Sequence, residues 1–95
     1  MKVAPGIPKT YDAVVEFEPD EFELFSSGEN TLDLREIMPN GTVIVPVWGF
    51  VIGRHQPIDV IMQVTDAEKL GIGNVEEFTE WVRNRVQEQI DKARA

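Results

Sequence analysis

Residues 42–64 read TVIVPVWGFVIGRHQPIDVIMQV, two apolar segments separated by the polar residues Gly53–Gln56. The first segment is dense in Val, Ile, Phe and Trp, which are residues that pack well on a pleated surface. The second segment alternates apolar and polar residues, a pattern typical of a strand with one buried face. We therefore expect two antiparallel strands joined by a short loop, with the rest of the chain covering them.

The length of this loop predicts which residues of the two strands lie opposite each other. Val51 is then paired with Ile58, and Val47 with Met62, so the valines of the first strand join the apolar side of the second strand in the core. Pro46 has no N–H to donate, and a bulge there would shift this register by one residue.

The other side of the first strand is also apolar, because side chains alternate between the two faces of a strand. This second face carries large apolar residues of both strands: Ile44, Trp48, Phe50, Ile52 and Ile61. A single helix covers only one face of a sheet, so the second face needs another cover. Three are open: the sheet curls into a barrel, the apolar residues of Phe22–Phe25 fold over it, or another chain packs there.

The segment before these strands divides into an arm and the start of the domain. Residues 1–10 contain Pro5 and Pro8 and are predicted to form an extended N-terminal arm without a regular element. Tyr11–Glu18 alternates apolar and polar residues, which predicts a strand with one solvated face. We assign residues 11–95 to a single α+β domain.

Two further segments have less regular patterns. Phe22–Phe25 is predicted to be a short strand or a turn that carries its three apolar side chains into the core. Thr31–Met38 precedes Pro39-Asn40-Gly41, a turn sequence that tolerates positive φ, so a hairpin into the strand at 42–52 is expected. The competing assignment is a short helix at Leu32–Met38.

The C-terminal part of the chain carries helical signals. Thr65 and Glu68 have capping-box spacing, and Gly71 follows at a position suited to a left-handed residue, which predicts one short helical turn. Asn74 is expected to cap a second helix, with Glu77 three residues later. This helix is amphipathic and about five turns long. Its apolar residues recur at three- and four-residue spacing: Phe78, Trp81, Val82, Val86, Ile90 and Ala93.

These patterns together predict an α+β fold. A small antiparallel, meander-like sheet of about four to five strands is packed by one long C-terminal amphipathic helix, with a short helical turn before it. One modest core is expected, since a chain of 95 residues is the size of one domain.

The composition limits the classes of partner. The formal net charge is −8, which disfavours direct binding to nucleic acids or to an anionic membrane, because both bind clustered Lys and Arg. The absence of cysteine excludes disulfides, thiolate metal sites and a cysteine nucleophile. No signal peptide and no apolar run of membrane length is indicated. We therefore expect a soluble protein of the cytoplasm or of a particle assembled inside the cell.

No residues in the sequence match a known catalytic, cofactor or metal motif. His55 is the single histidine and lies beside Arg54 in a loop, where a histidine is usually just exposed. The acids at 20–23 cluster but lack the spacing of a calcium loop. Gly71-Ile72-Gly73 lacks the lysine of a phosphate-binding loop and is better explained by helix termination. We therefore expect no enzyme activity, no cofactor and no metal.

Two functional hypotheses remain. In the first, the protein is a structural or assembly subunit that self-associates or docks on a larger protein through the second apolar face. In the second, it is an acidic inhibitor or adaptor, of the kind found in viruses and mobile elements, that occupies a basic surface of a target by imitating nucleic-acid phosphates. The acidic surface would then include Glu16, Glu18, Asp20, Glu21 and Glu23.

Overall fold

The computed structural model describes residues 1–6, 12–25, 30–35 and 41–95, in which five strands form one mixed sheet and a long helix packs on one side of it. In chain order the elements are β1 (Lys2–Pro5), β2 (Ala13–Phe17), α1 (Pro19–Glu23), β3 (Thr31–Asp33), β4 (Thr42–Val51), β5 (Ile58–Thr65), α2 (Asp66–Gly71) and α3 (Val75–Arg94). The strand order in the sheet is β1-β2-β4-β5-β3. The α+β class, with a long C-terminal helix and a short helix before it, is therefore confirmed. The sheet is mixed, however, and not purely antiparallel.

The predicted hairpin is formed by β4 and β5, which pair as antiparallel neighbours without a bulge. Val47 lies opposite Val60 and Gly49 opposite Ile58, so the predicted pairings of Val47 with Met62 and of Val51 with Ile58 are both wrong by two residues. An even shift keeps every side chain on its predicted face. The valines on the core side of β4, including Val51, are accordingly buried.

The register differs because the loop between β4 and β5 spans residues 52–57 and is longer than predicted. Two of its side chains bond to Asn30, which immediately precedes β3. Arg54 Nη2 donates to Asn30 Oδ1 at 2.6 Å, and Asn30 Nδ2 donates to Gln56 Oε1 at 2.6 Å. The Arg54 guanidinium also lies 4.9 Å from the centre of the Phe22 ring. These contacts bind the loop to residues that are distant in the sequence, and residues 52–57 do not join the β4–β5 pairing.

β2 and β3 pair in parallel with β4 and β5, respectively, and this was not predicted. β2 occupies one edge of β4 and β5 occupies the other, so β3 pairs with the free edge of β5. The expected hairpin from Thr31–Met38 into β4 is therefore wrong, and so is the competing helix over the part of it that the structure describes. The turn residues Pro39 and Asn40 lie outside the described residues, whereas Gly41 has a φ of 92° immediately before β4.

β1 is an edge strand and not an irregular arm. It pairs with β2 as an antiparallel neighbour, and Pro5 is tolerated because it ends a strand at the edge of the sheet. The ammonium group of Met1 lies 3.0 Å from Glu21 Oε1 and fastens the start of β1 to α1. The predicted lack of a regular element is therefore wrong for β1, and residues 7–10 lie outside the described residues. The division of the chain into an arm at 1–10 and a domain at 11–95 stays a prediction.

The core lies between the sheet and the helices α1 and α3. Its buried apolar residues are Ala13, Val15, Phe17, Phe22, Leu32, Leu34, Val45, Val47, Val51, Ile58, Val60, Met62, Val64, Val82, Val86 and Ile90. The predicted apolar stripe of α3 is confirmed in its central residues. Phe78 and Trp81 are half-buried at the margin of the core, and Ala93 is exposed.

The starts of α2 and α3 follow the predicted capping signals. Glu68 N donates to Thr65 Oγ1 and Thr65 N donates to Glu68 Oε2, both at 3.1 Å, which confirms the capping box of α2. At the start of α3, Glu77 N donates to Asn74 Oδ1 at 2.9 Å, as predicted. Gly71 ends α2 without a positive φ, so the predicted left-handed end is wrong, because the chain leaves this helix in an extended conformation.

The segment predicted as a short strand or turn lies in and after α1, a short helix that begins at Pro19. Proline suits the first turn of a helix, where its missing N–H would have no partner. Phe22 is buried, Phe25 is half-buried and Leu24 is exposed. The segment therefore sends one apolar side chain fully into the core, on the same side of the sheet as α3.

Candidate interaction face

The face of the sheet opposite α3 is formed by the alternate residues of β2, β4 and β5 whose side chains point away from the core. We call it the open face, and its described members are Val14, Glu16, Ile44, Pro46, Trp48, Phe50, Ile52, Asp59, Ile61 and Gln63. In the described parts of the chain, the buried apolar side chains of α1 and α3 belong to the core on the other side. Neither of these helices covers the open face.

All five residues predicted for a binding face lie on the open face. Ile44 is 61% exposed and Ile52 is 44% exposed. Trp48, Phe50 and Ile61 are half-buried between them. The structure therefore brings the five predicted residues together on one surface.

Two further apolar residues extend this surface. Val14 lies beside Trp48 across the parallel β2–β4 pair, and Pro46 lies opposite Ile61. Val14 was missed because the sequence contains no local signal for pairing β2 with β4, and Pro46 was considered only as a break in the strand. Gln63 of β5 is buried, whereas Ile44, Pro46 and Ile52 of β4 are exposed, so the exposed part of the open face runs along β4.

Within the described residues, the structure shows neither of the two internal covers that the sequence allowed. The sheet ends in the two edge strands β1 and β3 and does not close into a barrel. Phe22 of the segment Phe22–Phe25, which was expected to fold over the second face, belongs to the core on the other side. Packing by another chain, the third cover, stays a prediction.

Trp48 and Phe50 form an aromatic pair in the middle of the open face. Their ring centroids are 6.0 Å apart and their planes are inclined by 49°, which lies within the range of favourable aromatic contacts. A shallow cavity of about 330 Å³ adjoins the pair and is lined at its far end by the loop residues Arg54, His55 and Pro57. The single histidine of the chain is thus exposed beside the aromatic pair.

Two carboxylates flank the aromatic pair on the open face. Glu16 of β2 lies beside Phe50, and Asp59 of β5 lies opposite Trp48. Among the residues that the structure describes, neither carboxylate has an ion pair or a side-chain hydrogen bond. The nearest base in the strand register is Lys2, which faces Glu16 from the edge strand β1. The aromatic pair therefore has a carboxylate on each side, and Glu16 also has Lys2 opposite it in the register.

A different pair of charges lies at the β3 edge of the sheet, where Asp33 and Arg35 bind each other. Arg35 Nε donates to Asp33 Oδ1 at 2.9 Å and Nη2 donates to Oδ2 at 2.6 Å. These hydrogen bonds hold the pKa of the Asp33 carboxyl below its usual value and raise the pKa of the Arg35 guanidinium. The pair is exposed, so its effect on stability is small, but it removes Arg35 as a free cation near the open face.

The five acids of the predicted acidic surface do not form one surface. Glu21 is 5% exposed. Its side chain accepts a hydrogen bond from Glu18 N at 2.8 Å and forms the ion pair with the ammonium group of Met1. Asp20 accepts from Arg94 Nη2 at 3.1 Å, at the end of α3. Glu18 and Glu23 are exposed on either side of α1, whereas Glu16 belongs to the open face. The burial of Glu21 has no local sequence signal, because glutamates are almost always exposed.

A second cavity, of about 430 Å³, lies between the first half of β4 and the connection from α2 to α3. Its walls are mainly apolar and include Val43 and Phe78. Its charged lining residues are Asp12 and Lys69, one acid and one base, so the cavity selects for neither sign of charge. It indicates apolar space at the end of the core and does not define a ligand.

The described part of the chain contains no candidate metal site and no candidate membrane-spanning helix. Within residues 1–6, 12–25, 30–35 and 41–95, no three side chains of His, Asp or Glu are grouped closely enough to hold a metal ion. None of the helices in these ranges combines the length and apolar character that a membrane-crossing helix needs.

No protein-family model, no curated protein and no solved structure matches the chain. The geometry of the open face is therefore the basis for a functional assignment.

Proposed function

We propose that the protein is a non-enzymatic protein–protein interaction module that binds its partner through the open face. The observation that carries the proposal is the exposure of Ile44 and Ile52 beside the half-buried Trp48, Phe50 and Ile61. Single apolar residues are common on protein surfaces, but a contiguous group of large ones usually marks a binding site. In this role the protein acts as a structural or assembly unit.

Trp48 is the expected centre of binding. Tryptophan is enriched among the residues that contribute most to interfaces, and such residues cluster near the middle of the buried patch. Fully burying a large apolar side chain contributes about 1.5–3 kcal/mol. The half-buried members of the open face contribute less. The entropy lost when two proteins associate opposes the total free energy gained by burying these side chains. Removing Trp48 should therefore weaken binding more than removing any other single residue of the face.

The edges of the sheet are poorer binding sites than its face. β3 has three residues, and β1 has four residues and ends in Pro5. Short edge strands and prolines are the features by which proteins discourage pairing with another chain. Docking through side chains of the open face therefore fits the structure better than addition of a strand to an edge.

Site-directed photo-crosslinking tests this proposal. A photo-crosslinking amino acid replaces Ile44 on the open face or, as the matched control, Leu70, which is 88% exposed on α2. We expect crosslinks to a partner from position 44 and not from position 70. Adding Trp48→Ala to the first variant should strongly reduce them, because it removes the large ring at the centre of the interface. Equal crosslinking from both positions would contradict the proposal.

The mass of the protein in solution shows whether the partner is a second copy. Light scattering after size exclusion is measured over a range of concentrations for the parent, Trp48→Glu and Leu70→Glu. A dimer that is lost only in Trp48→Glu identifies self-association through the open face. A monomer in all three, with position-44 crosslinks in the source cell, identifies docking on a different protein.

The alternative role as an acidic inhibitor has less support. A continuous acidic surface needs its carboxylates to be exposed and unpaired, whereas Glu21 is buried and Asp20 is bonded to Arg94. The acids that remain free near α1 are separated by these two.

A further inference from the structure

We propose that the open face recognises a cationic side chain, an arginine or a lysine, on an extended basic segment of a partner protein. The inference rests on the proposed function and specifies the chemistry of the partner. The cation lies against the rings of Trp48 and Phe50, between the carboxylates of Glu16 and Asp59.

The aromatic pair supplies one half of this recognition. A guanidinium or ammonium group is attracted to the face of an aromatic ring within about 6 Å of its centroid, and tryptophan is the most favourable ring. Trp48 and Phe50 are inclined by 49° with centroids 6.0 Å apart, so a cation beside one ring is also close to the other. The neighbouring Val14 and Pro46 provide an apolar surface for the methylene groups of an arginine or lysine side chain.

The two carboxylates supply the other half. Glu16 and Asp59 lie on the strands on either side of β4, which places their Cα atoms roughly 10–12 Å apart across the aromatic pair. A partner that covers the rings also removes water from both carboxylates. An entirely apolar partner would bury both carboxylates without forming an ion pair or a hydrogen bond to either, which is unfavourable. A cation between them is attracted by both charges and donates charge-assisted hydrogen bonds.

The same charges argue against a second copy of this chain as the partner. A face-to-face dimer centred on Trp48 would bring four carboxylates, Glu16 and Asp59 of each copy, into one interface. The bases near the open face lie at its margins. Lys2 belongs to the edge strand, Arg35 is bonded to Asp33, and Arg54 of the β4–β5 loop is bonded to Asn30. Each copy also carries a formal net charge of −8, so two copies repel each other, whereas a basic partner is attracted.

A short capped peptide of alternating valine and arginine is the probe for this proposal. It presents arginine side chains at the spacing of an extended strand, and the matched peptide replaces each arginine with citrulline, which has nearly the same shape and no charge. Binding is followed by NMR through the indole N–H of Trp48 and the backbone amides of β4. We expect the arginine peptide to shift these signals and the citrulline peptide to bind on the order of tenfold more weakly.

Two charge variants separate local recognition from general attraction. Glu16→Gln with Asp59→Asn removes two charges from the open face, and Glu88→Gln with Asp91→Asn removes the same number from exposed positions of α3. We expect the first double variant to weaken binding of the arginine peptide by about tenfold and the second by less than about twofold. Dispersed amide spectra of both variants establish that they are folded.

Three results would overturn the inference. Equal weakening in both double variants shows that attraction is a property of the net charge. Equal affinity for the arginine and citrulline peptides at Trp48 shows that the face binds an extended segment without reading a cation. The absence of shifts at Trp48 with either peptide shows that no basic segment binds there. In each case the crosslinking from position 44 decides independently whether the open face is an interaction surface at all.

Discussion

Gly49 lies on the core side of β4, at a point where the strand passes very close to its neighbours. A Cβ atom at this position would lie 2.7 Å from Val60 Cγ2 and 3.3 Å from a carbon of the Phe17 ring. Because ordinary packing does not allow a carbon–carbon approach of 2.7 Å, the residue here must lack a side chain, or the neighbours must move. The glycine thus lets the large side chains of β2 and β5 meet across β4.

Replacing Gly49 with alanine should therefore destabilise the fold. We expect Gly49→Ala to lower the free energy of unfolding by about 1–3 kcal/mol, the usual effect of overpacking a filled core. Denaturant-induced unfolding measures the change. Gly71→Ala is the matched control, because a Cβ atom there meets nothing within 4 Å and the residue has no positive φ. A similar loss in both variants would show that the close approach at Gly49 is unimportant.

At this same scale, the sequence predicts polar contacts only when both partners are close in the chain. The caps at Thr65 and Asn74 were predicted because the partner of each lies three residues later. The burial of Glu21 and the bonds of Asn30 to the β4–β5 loop were not predicted, because they depend on residues brought together by the fold.

Among the elements, α3 is the longest and its start is capped by a single side chain. Glu77 N donates to Asn74 Oδ1 at 2.9 Å, which satisfies one of the helical N–H groups that have no partner within the helix. We expect Asn74→Ala to lower the free energy of unfolding by about 1 kcal/mol and Asn74→Gly by only a few tenths, since glycine also suits this position. Thermal or denaturant unfolding distinguishes them, and equal losses would contradict the capping role.

The elements differ in how well the sequence predicted them. β4, β5, α2 and α3 were recognised because alternation, helical spacing and capping residues are all local signals. The partners of β2 and β3 were not, because parallel strands are joined by long connections whose course leaves no periodic pattern. The same limit applies to the candidate site: alternation predicted its five apolar residues, but only the pairing of β2 and β5 with β4 places Glu16 and Asp59 beside the aromatic rings.

On the scale of the whole molecule, the order of strands predicts how stability is distributed. β4 has a hydrogen-bonded neighbour on each side, whereas β1 and β3 are edge strands with one neighbour each. We expect amide hydrogen exchange to be slowest in β4 and fastest, among the strands, in β1 and β3, because edges open without disrupting the core. Exchange followed by NMR tests this order. Protection of β1 equal to that of β4 would mean that the sheet opens only as a unit.

The chain order of the mixed sheet also bears on the synthesis of the protein. β2 pairs with β4, and the core side of the sheet is covered by α3, which follows all five strands in the sequence. While the ribosome is still extending the chain, β2 therefore emerges before β4, the strand with which it pairs. The apolar β4–β5 hairpin likewise emerges before α3. Hairpins form within microseconds, much faster than residues are added. The growing chain thus exposes both apolar faces of this hairpin until α3 emerges, and chaperones that bind newly made chains have their longest access to it in that interval.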